Sequence, residues 1–171
     1  MNMKTMKTVD LAKDIVYFCR KYNYQFNNTK VQKLLYLFIG FALMNDIEEI
    51  KNIDELPKAW EYGPVFPKVY KNYSTAISKL PNDYTPSISN PEIKNILEKT
   101  VKLWGRVSAG KLSDWSHKEG SPWEVVLKDN HKWNQVIPLE IIYNYFSENV
   151  ENVLEESEEV GLFGFIKKIF S

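Results

Sequence analysis

The sequence predicts a mainly α-helical protein: a single compact domain of about six to seven helices, with a short β-hairpin or extended arm near residues 56–66. Three observations carry this expectation. Apolar residues recur at three- and four-residue steps along most of the chain, which places them on one stripe of successive amphipathic helices. Helix starts are marked by Pro67, by Asn90-Pro91-Glu92, by Ser121-Pro122-Trp123-Glu124 and by Pro138. Between Ala59 and Pro67, by contrast, Trp60, Tyr62 and Phe66 alternate sides around a glycine and prolines, a pattern that suits a bent, extended segment.

In the first helix, Thr8 to Tyr22, the stripe is Val9, Ala12, Ile15, Val16, Cys19 and Tyr22. After the polar turn 23–28, Thr29 is expected to cap a second helix to about Asn45. Its later half is apolar around most of its circumference, so it is predicted to be the central helix. From Pro67 a third helix runs through Val69, Tyr70, Tyr73, Ile77 and Leu80 until Pro81 ends it, and the Pro-, Ser- and Asn-rich loop 81–90 is expected to be exposed. Asn90 caps a helix whose face is Ile93, Ile96, Leu97, Val101, Trp104 and Val107, and a short helix from Ser108 to about His117 follows. In Ser121-Pro122-Trp123-Glu124 the serine and the glutamate are spaced to satisfy each other's free backbone N–H, as in a capping box. The last long helix, opened by Pro138, carries Leu139, Ile142, Tyr145, Phe146, Val150, Val153 and Leu154 toward the acidic run 155–159. Residues 1–156 are taken as the helical domain and 157–171 as an acidic, then apolar, tail. That tail is expected to fold back on the domain, to bind a partner, or to make weak membrane contact through Leu162, Phe163, Ile166, Ile169 and Phe170.

Composition limits the function classes. With 22 basic and 22 acidic residues the net charge is zero, so no overall field draws the chain to nucleic acid or to an anionic membrane. The longest apolar run, Leu34 to Met44, is far short of the roughly 18 to 20 residues that cross a bilayer. Met1 to Lys7 lacks the apolar core of a secretory signal, and a cytoplasmic location is expected. The single cysteine, Cys19, is read as a buried small hydrophobe rather than a reactive thiol.

Catalytic groups are sparse. His117 and His131 match no zinc spacing, no glycine-rich phosphate loop precedes a Lys-Ser/Thr pair, and no G-x-S-x-G elbow occurs, so neither a metal nor any other cofactor is expected. An enzyme built on Asp114, His117 and Glu119 is the remote reading, and the chain is expected to be non-enzymatic. His117 sits where it could instead hydrogen-bond a helix terminus, and Trp115 and Trp123 are expected to anchor the core, although tryptophan also favours binding hot spots.

Three ordered blocks carry a family resemblance: Lys33-Leu34-Leu35-Tyr36-Leu37; Ala59-Trp60-Glu61-Tyr62-Gly63-Pro64-Val65-Phe66-Pro67-Lys68-Val69-Tyr70; and Leu112-Ser113 with His117-Lys118-Glu119 and Ser121-Pro122-Trp123. Over roughly residues 8–146 the chain resembles the Panacea domain of SocA-like antitoxins and phage-associated proteins, with Ser116 where the family usually carries threonine. The resemblance implies a helical domain that neutralises a cognate protein toxin of a toxin–antitoxin system by direct binding. It implies as an alternative an adaptor that delivers the toxin to an AAA+ protease. The candidate toxin-interface or family-motif residues are Trp60, Tyr62, Gly63, Pro64, Phe66, Pro67, Tyr70, Ser113, His117, Glu119, Pro122 and Trp123. No helix-turn-helix module is apparent, and no nucleic-acid partner is expected.

Overall fold

The structure, a computed structural model, describes residues 4–149. The acidic run, the apolar tail and the expected continuation of the last helix through Val150, Val153 and Leu154 lie outside the described residues. Within them the chain forms seven α-helices and one three-stranded antiparallel sheet, in agreement with the mainly α expectation. The helices are α1 Thr8–Lys21, α2 Asn28–Met44, α3 Pro67–Asn72, α4 Pro91–Trp104, α5 Ala109–Ser116, α6 Pro122–Asn130 and α7 Leu139–Glu148. The strands are β1 Lys58–Trp60, β2 Gly63–Val65 and β3 Gln135–Val136.

Helix α2 is buried from Lys30 to Leu43 and is packed on by α1, α4, α5 and α7, so it is the central helix. Its cap is Asn27, whose side chain accepts from Lys30 N–H at 2.9 Å, and not Thr29. Extended backbone at Asn27 lays the short amide over the first turn, and asparagine caps at least as well as threonine. On α2, Tyr36 and Phe41 meet the ring of Phe146 from α7 at centroid distances of 5.7 and 5.4 Å, and Phe41 meets Trp104 of α4 at 4.9 Å. Gly40 lets Phe146 approach, since a Cβ there would overlap the ring. Cys19 is fully buried among these helices, and burial pushes its thiol up to about 12, so it behaves as an apolar residue.

Three expectations need correction. The helix predicted from Pro67 to Leu80 ends as α-helix at Asn72 and widens into a π turn over Tyr73–Ile77, closed by Ser78 N–H donating to Tyr73 O at 2.8 Å. The wider turn shifts the helical phase, so Val69, Ile77 and Leu80 reach the core while Tyr70 is left 54% exposed. The loop 81–90 is not simply exposed. The buried carboxylate of Asp14 on α1 accepts from Tyr84 OH at 2.6 Å, from Ser87 N–H and Oγ at 2.8 and 2.9 Å, and from Ile88 N–H at 3.2 Å. Four donors replace the water an isolated buried carboxylate would lose. The capping box before α6 is only half formed. Ser121 Oγ accepts from Glu124 N–H at 3.3 Å, but the Glu124 carboxylate reaches one residue further back, to Gly120 N–H at 2.6 Å.

Two features gave no sequence signal. A 3-10 turn over Glu48–Asn52 leads to Ile53, which bridges Met6, and β3 adds to β1 to make the third strand.

Candidate functional site: an aromatic hairpin and its groove

Strands β1 and β2 pair Lys58 with Val65, Ala59 with Pro64 and Trp60 with Gly63, so the expected hairpin forms with Glu61 and Tyr62 at its tip. Gly63 holds φ at +103°, a conformation costly for residues with a Cβ. A Cβ at that position would also collide with Ser116 Oγ and lie 3.1 Å from Lys33 Nζ. Glycine is therefore needed there both for the turn and for the close approach of the hairpin to α2 and α5.

Side chains fasten β2 from one side. Gln32 of α2 brackets Phe66, its Oε1 accepting from Phe66 N–H at 2.8 Å and its Nε2 donating to Phe66 O at 3.2 Å. Lys33 Nζ donates to Pro64 O at 2.9 Å. Ser113 Oγ donates to Tyr62 O at 2.8 Å, and Ser116 Oγ donates to Ser113 O at 2.8 Å. On the other side, Trp123 Nε1–H donates to Trp60 O at 2.6 Å, Trp60 Nε1–H donates to Asn134 Oδ1 at 2.9 Å, and Asn134 N–H donates to Ala59 O at 2.7 Å. The two signature blocks, distant in sequence, thus meet at one hairpin.

The residues singled out from sequence separate into two groups. Gly63, Pro64, Phe66, Ser113 and Pro122 are buried and build the junction, with Pro67 opening α3 and Trp123 half-buried as its anchor. Tyr62 and Tyr70 are 68% and 54% exposed, and Trp60 stands edge-to-face with Tyr70 at 5.2 Å. Trp133, 57% exposed, packs 6.0 Å from Trp123 and extends this aromatic face. Glu119 is exposed and away from the hairpin bonds. His117 ends α5 with its ring 5.3 Å from Trp123, but its buried Nδ1 has no hydrogen-bond partner, contrary to the helix-terminus bond expected of it.

No hydrogen bond or ion pair joins Asp114, His117 and Glu119, and Asp114 and Glu119 both point to solvent. Among the described residues no group of three His, Cys, Asp or Glu could hold a metal, and no helix is long and apolar enough to cross a membrane. The arrangement supplies contact surface rather than aligned reacting groups.

Sequence reasoning missed Gln32, Lys33, Trp133 and Asn134 as parts of the site. A signal existed for Lys33, a charge directly before the apolar run Leu34 to Met44. Its side chain is 1% exposed, no carboxylate lies beside it, and burial pushes its ammonium down to about 7. Lys33 also lines a groove of about 300 Å³ between the start of α2 and the hairpin, with Thr29, Trp60, Glu61, Tyr62 and Tyr70 around it.

Comparison with known proteins places this region in a family context. The family model described as "Antitoxin SocA-like, Panacea domain" matches residues 31–124, from the first turns of α2 through the hairpin to the start of α6. The protein named Antitoxin SocA from Caulobacter vibrioides (strain NA1000 / CB15N) is 32% identical over 113 residues, covering 58% of this chain. The chain spans 59% of the length of that relative. No solved structure matches.

Proposed function

The chain belongs to the SocA-like antitoxin, Panacea-domain family, and from that premise we propose that it is a non-catalytic antitoxin that neutralises a cognate protein toxin by binding it directly. The observation that carries the reading is the division of labour within the signature blocks. Their buried members fix the hairpin rigidly to α2, α5 and α6, while Trp60, Tyr62 and Tyr70 stay at the surface beside a groove. Rigid, partly exposed tryptophan and tyrosine side chains at a preformed depression are the groups that dominate binding energy in protein interfaces. Zero net charge fits recognition by shape and local polarity rather than by long-range attraction.

The test is to induce the adjacent gene separately, with and without this protein, and to follow growth and co-purification. Arrested growth restored together with a stable complex supports masking by direct binding. Restored growth with no surviving complex and a falling level of the neighbour's product replaces masking with delivery to an AAA+ protease. A harmless neighbour overturns the antitoxin reading. In the masking case, Tyr62→Ala with Tyr70→Ala weakens the complex by about 2 kcal/mol or more, roughly thirtyfold, while leaving the circular dichroism and melting of the free protein unchanged.

A further inference from the structure

Lys33 is the feature of the site that the hairpin's architecture does not require. A neutral donor could satisfy Pro64 O, as Gln32 satisfies Phe66. Instead the position holds a cation that is 1% exposed, with one carbonyl as its partner and no carboxylate beside it. Buried cations are ordinarily paired, because an uncompensated charge in a low-dielectric interior is unfavourable. Burial already lowers its proton affinity to a midpoint of about 7, as expected when no anion stabilises the charged form.

The surroundings favour an anion that arrives with apolar surface. Lys33 lines the groove of about 300 Å³ whose sides are Trp60, Tyr62 and Tyr70. The first turn of α2, which carries no acidic residue, contributes Thr29 to the same groove and directs the positive end of the helix dipole toward it. The one carboxylate of the lining, Glu61, is exposed at the hairpin tip and disfavours a free anion that brings no apolar contacts. The lysine stem is long and flexible, so the ammonium can leave Pro64 O and turn to an incoming acceptor by a rotamer change, without unpacking α2.

We propose that this groove receives an acidic side chain of the partner protein, an aspartate or glutamate carried beside an apolar residue, whose carboxylate becomes the counter-ion of Lys33. The assignment rests on the antitoxin reading for the identity of the partner, and it names what the partner must present. It also gives Lys33 a role in selection: a partner with a neutral or basic residue at that point leaves the cation buried and unpaired.

The test uses the full chain carrying lysine labelled with carbon-13 at Cε, titrated with 3-phenylpropionate and, separately, with its neutral analogue 3-phenylpropionamide. The Lys33 resonance is assigned by its disappearance in Lys33→Met. The expected result is that the acid binds about tenfold or more tightly than the amide near neutral pH, that it raises the titration midpoint of Lys33, and that Lys33→Met abolishes the preference. Equal binding of acid and amide, no binding of either at millimolar concentration, or a preference that survives Lys33→Met overturns the proposal. The two failures separate. Loss of acid selectivity removes the Lys33 assignment while neutralisation stands, and a harmless neighbour removes the antitoxin reading while the groove keeps its selectivity.

Discussion

Two buried charges show opposite solutions to the same physical problem. Asp14 is surrounded by four donors, three of them from residues 84–87 and one from Ile88, so it organises a segment with little apolar content of its own. Asp14→Asn leaves at least one of those donors without an acceptor and is expected to destabilise the fold by about 3 kcal/mol. Hydrogen exchange at the Ser87 and Ile88 amides checks this, because they should lose protection ahead of the helices. Lys33 has no such company. Its folded midpoint, about 7, lies below the model value of 10.5, so above pH 7 the unfolded chain binds more protons than the folded one. Stability therefore rises as pH increases above 7. Cys19 and the buried Tyr36 act in the opposite sense at higher pH, since their raised values keep them protonated when the unfolded chain ionises. The rise belongs to the window between pH 7 and the cysteine model value of 9.0. Denaturation midpoints measured across that window should increase for the native protein, and the slope should flatten in Lys33→Met.

At the level of elements, the hairpin is the part whose geometry is most constrained. Gly63 combines a positive φ with a position against Ser116 and Lys33. Gly63→Ala should cost about 3 kcal/mol, the sum of backbone strain and overpacking. Gly120 also has a positive φ, at +79°, but faces open space, so Gly120→Ala should carry only the backbone part, about 1 kcal/mol. Comparing the two by chemical denaturation separates strain from collision, and equal losses would contradict the close approach of the hairpin to α5. The π turn after α3 belongs to this scale as well. It turns Tyr70 outward to meet Trp60, which places a ring at the groove that simple helical periodicity assigns to the core.

For the molecule as a whole, α2 is the axis and α7 is its outermost closure. Phe146 is fully buried against Tyr36, Phe41 and Trp115, and Gly40 provides the room for it. Phe146→Ala is expected to remove about 4 kcal/mol of stability through lost burial and the cavity left behind. Gly40→Ala should be damaging for the converse reason, overpacking of the same contact, by about 2 kcal/mol or more. If either variant melts like the parent, the packing of α7 on α2 is not what holds the bundle closed.

Much of this architecture was legible in the chain. The apolar stripes of α1 and α4, the all-round apolar half of α2, the Asn90 and Ser121 helix starts and the hairpin at Gly63-Pro64 follow from local rules, because periodicity, capping and turn chemistry are properties of neighbouring residues. The same locality explains why both aromatic blocks stood out. What only the tertiary structure decided was which distant groups meet: Asp14 with Ser87, Gln32 with Phe66, Lys33 with Pro64, Trp123 with Trp60, and a two-residue β3 that pairs only because β1 is already in place. Such contacts depend on how helices pack, and a polar side chain in a sequence does not disclose which backbone group across the core will lack a partner. The sequence by itself therefore determined the helices, the turn and the family, whereas the groove and its unpaired lysine exist only once the hairpin has docked on α2.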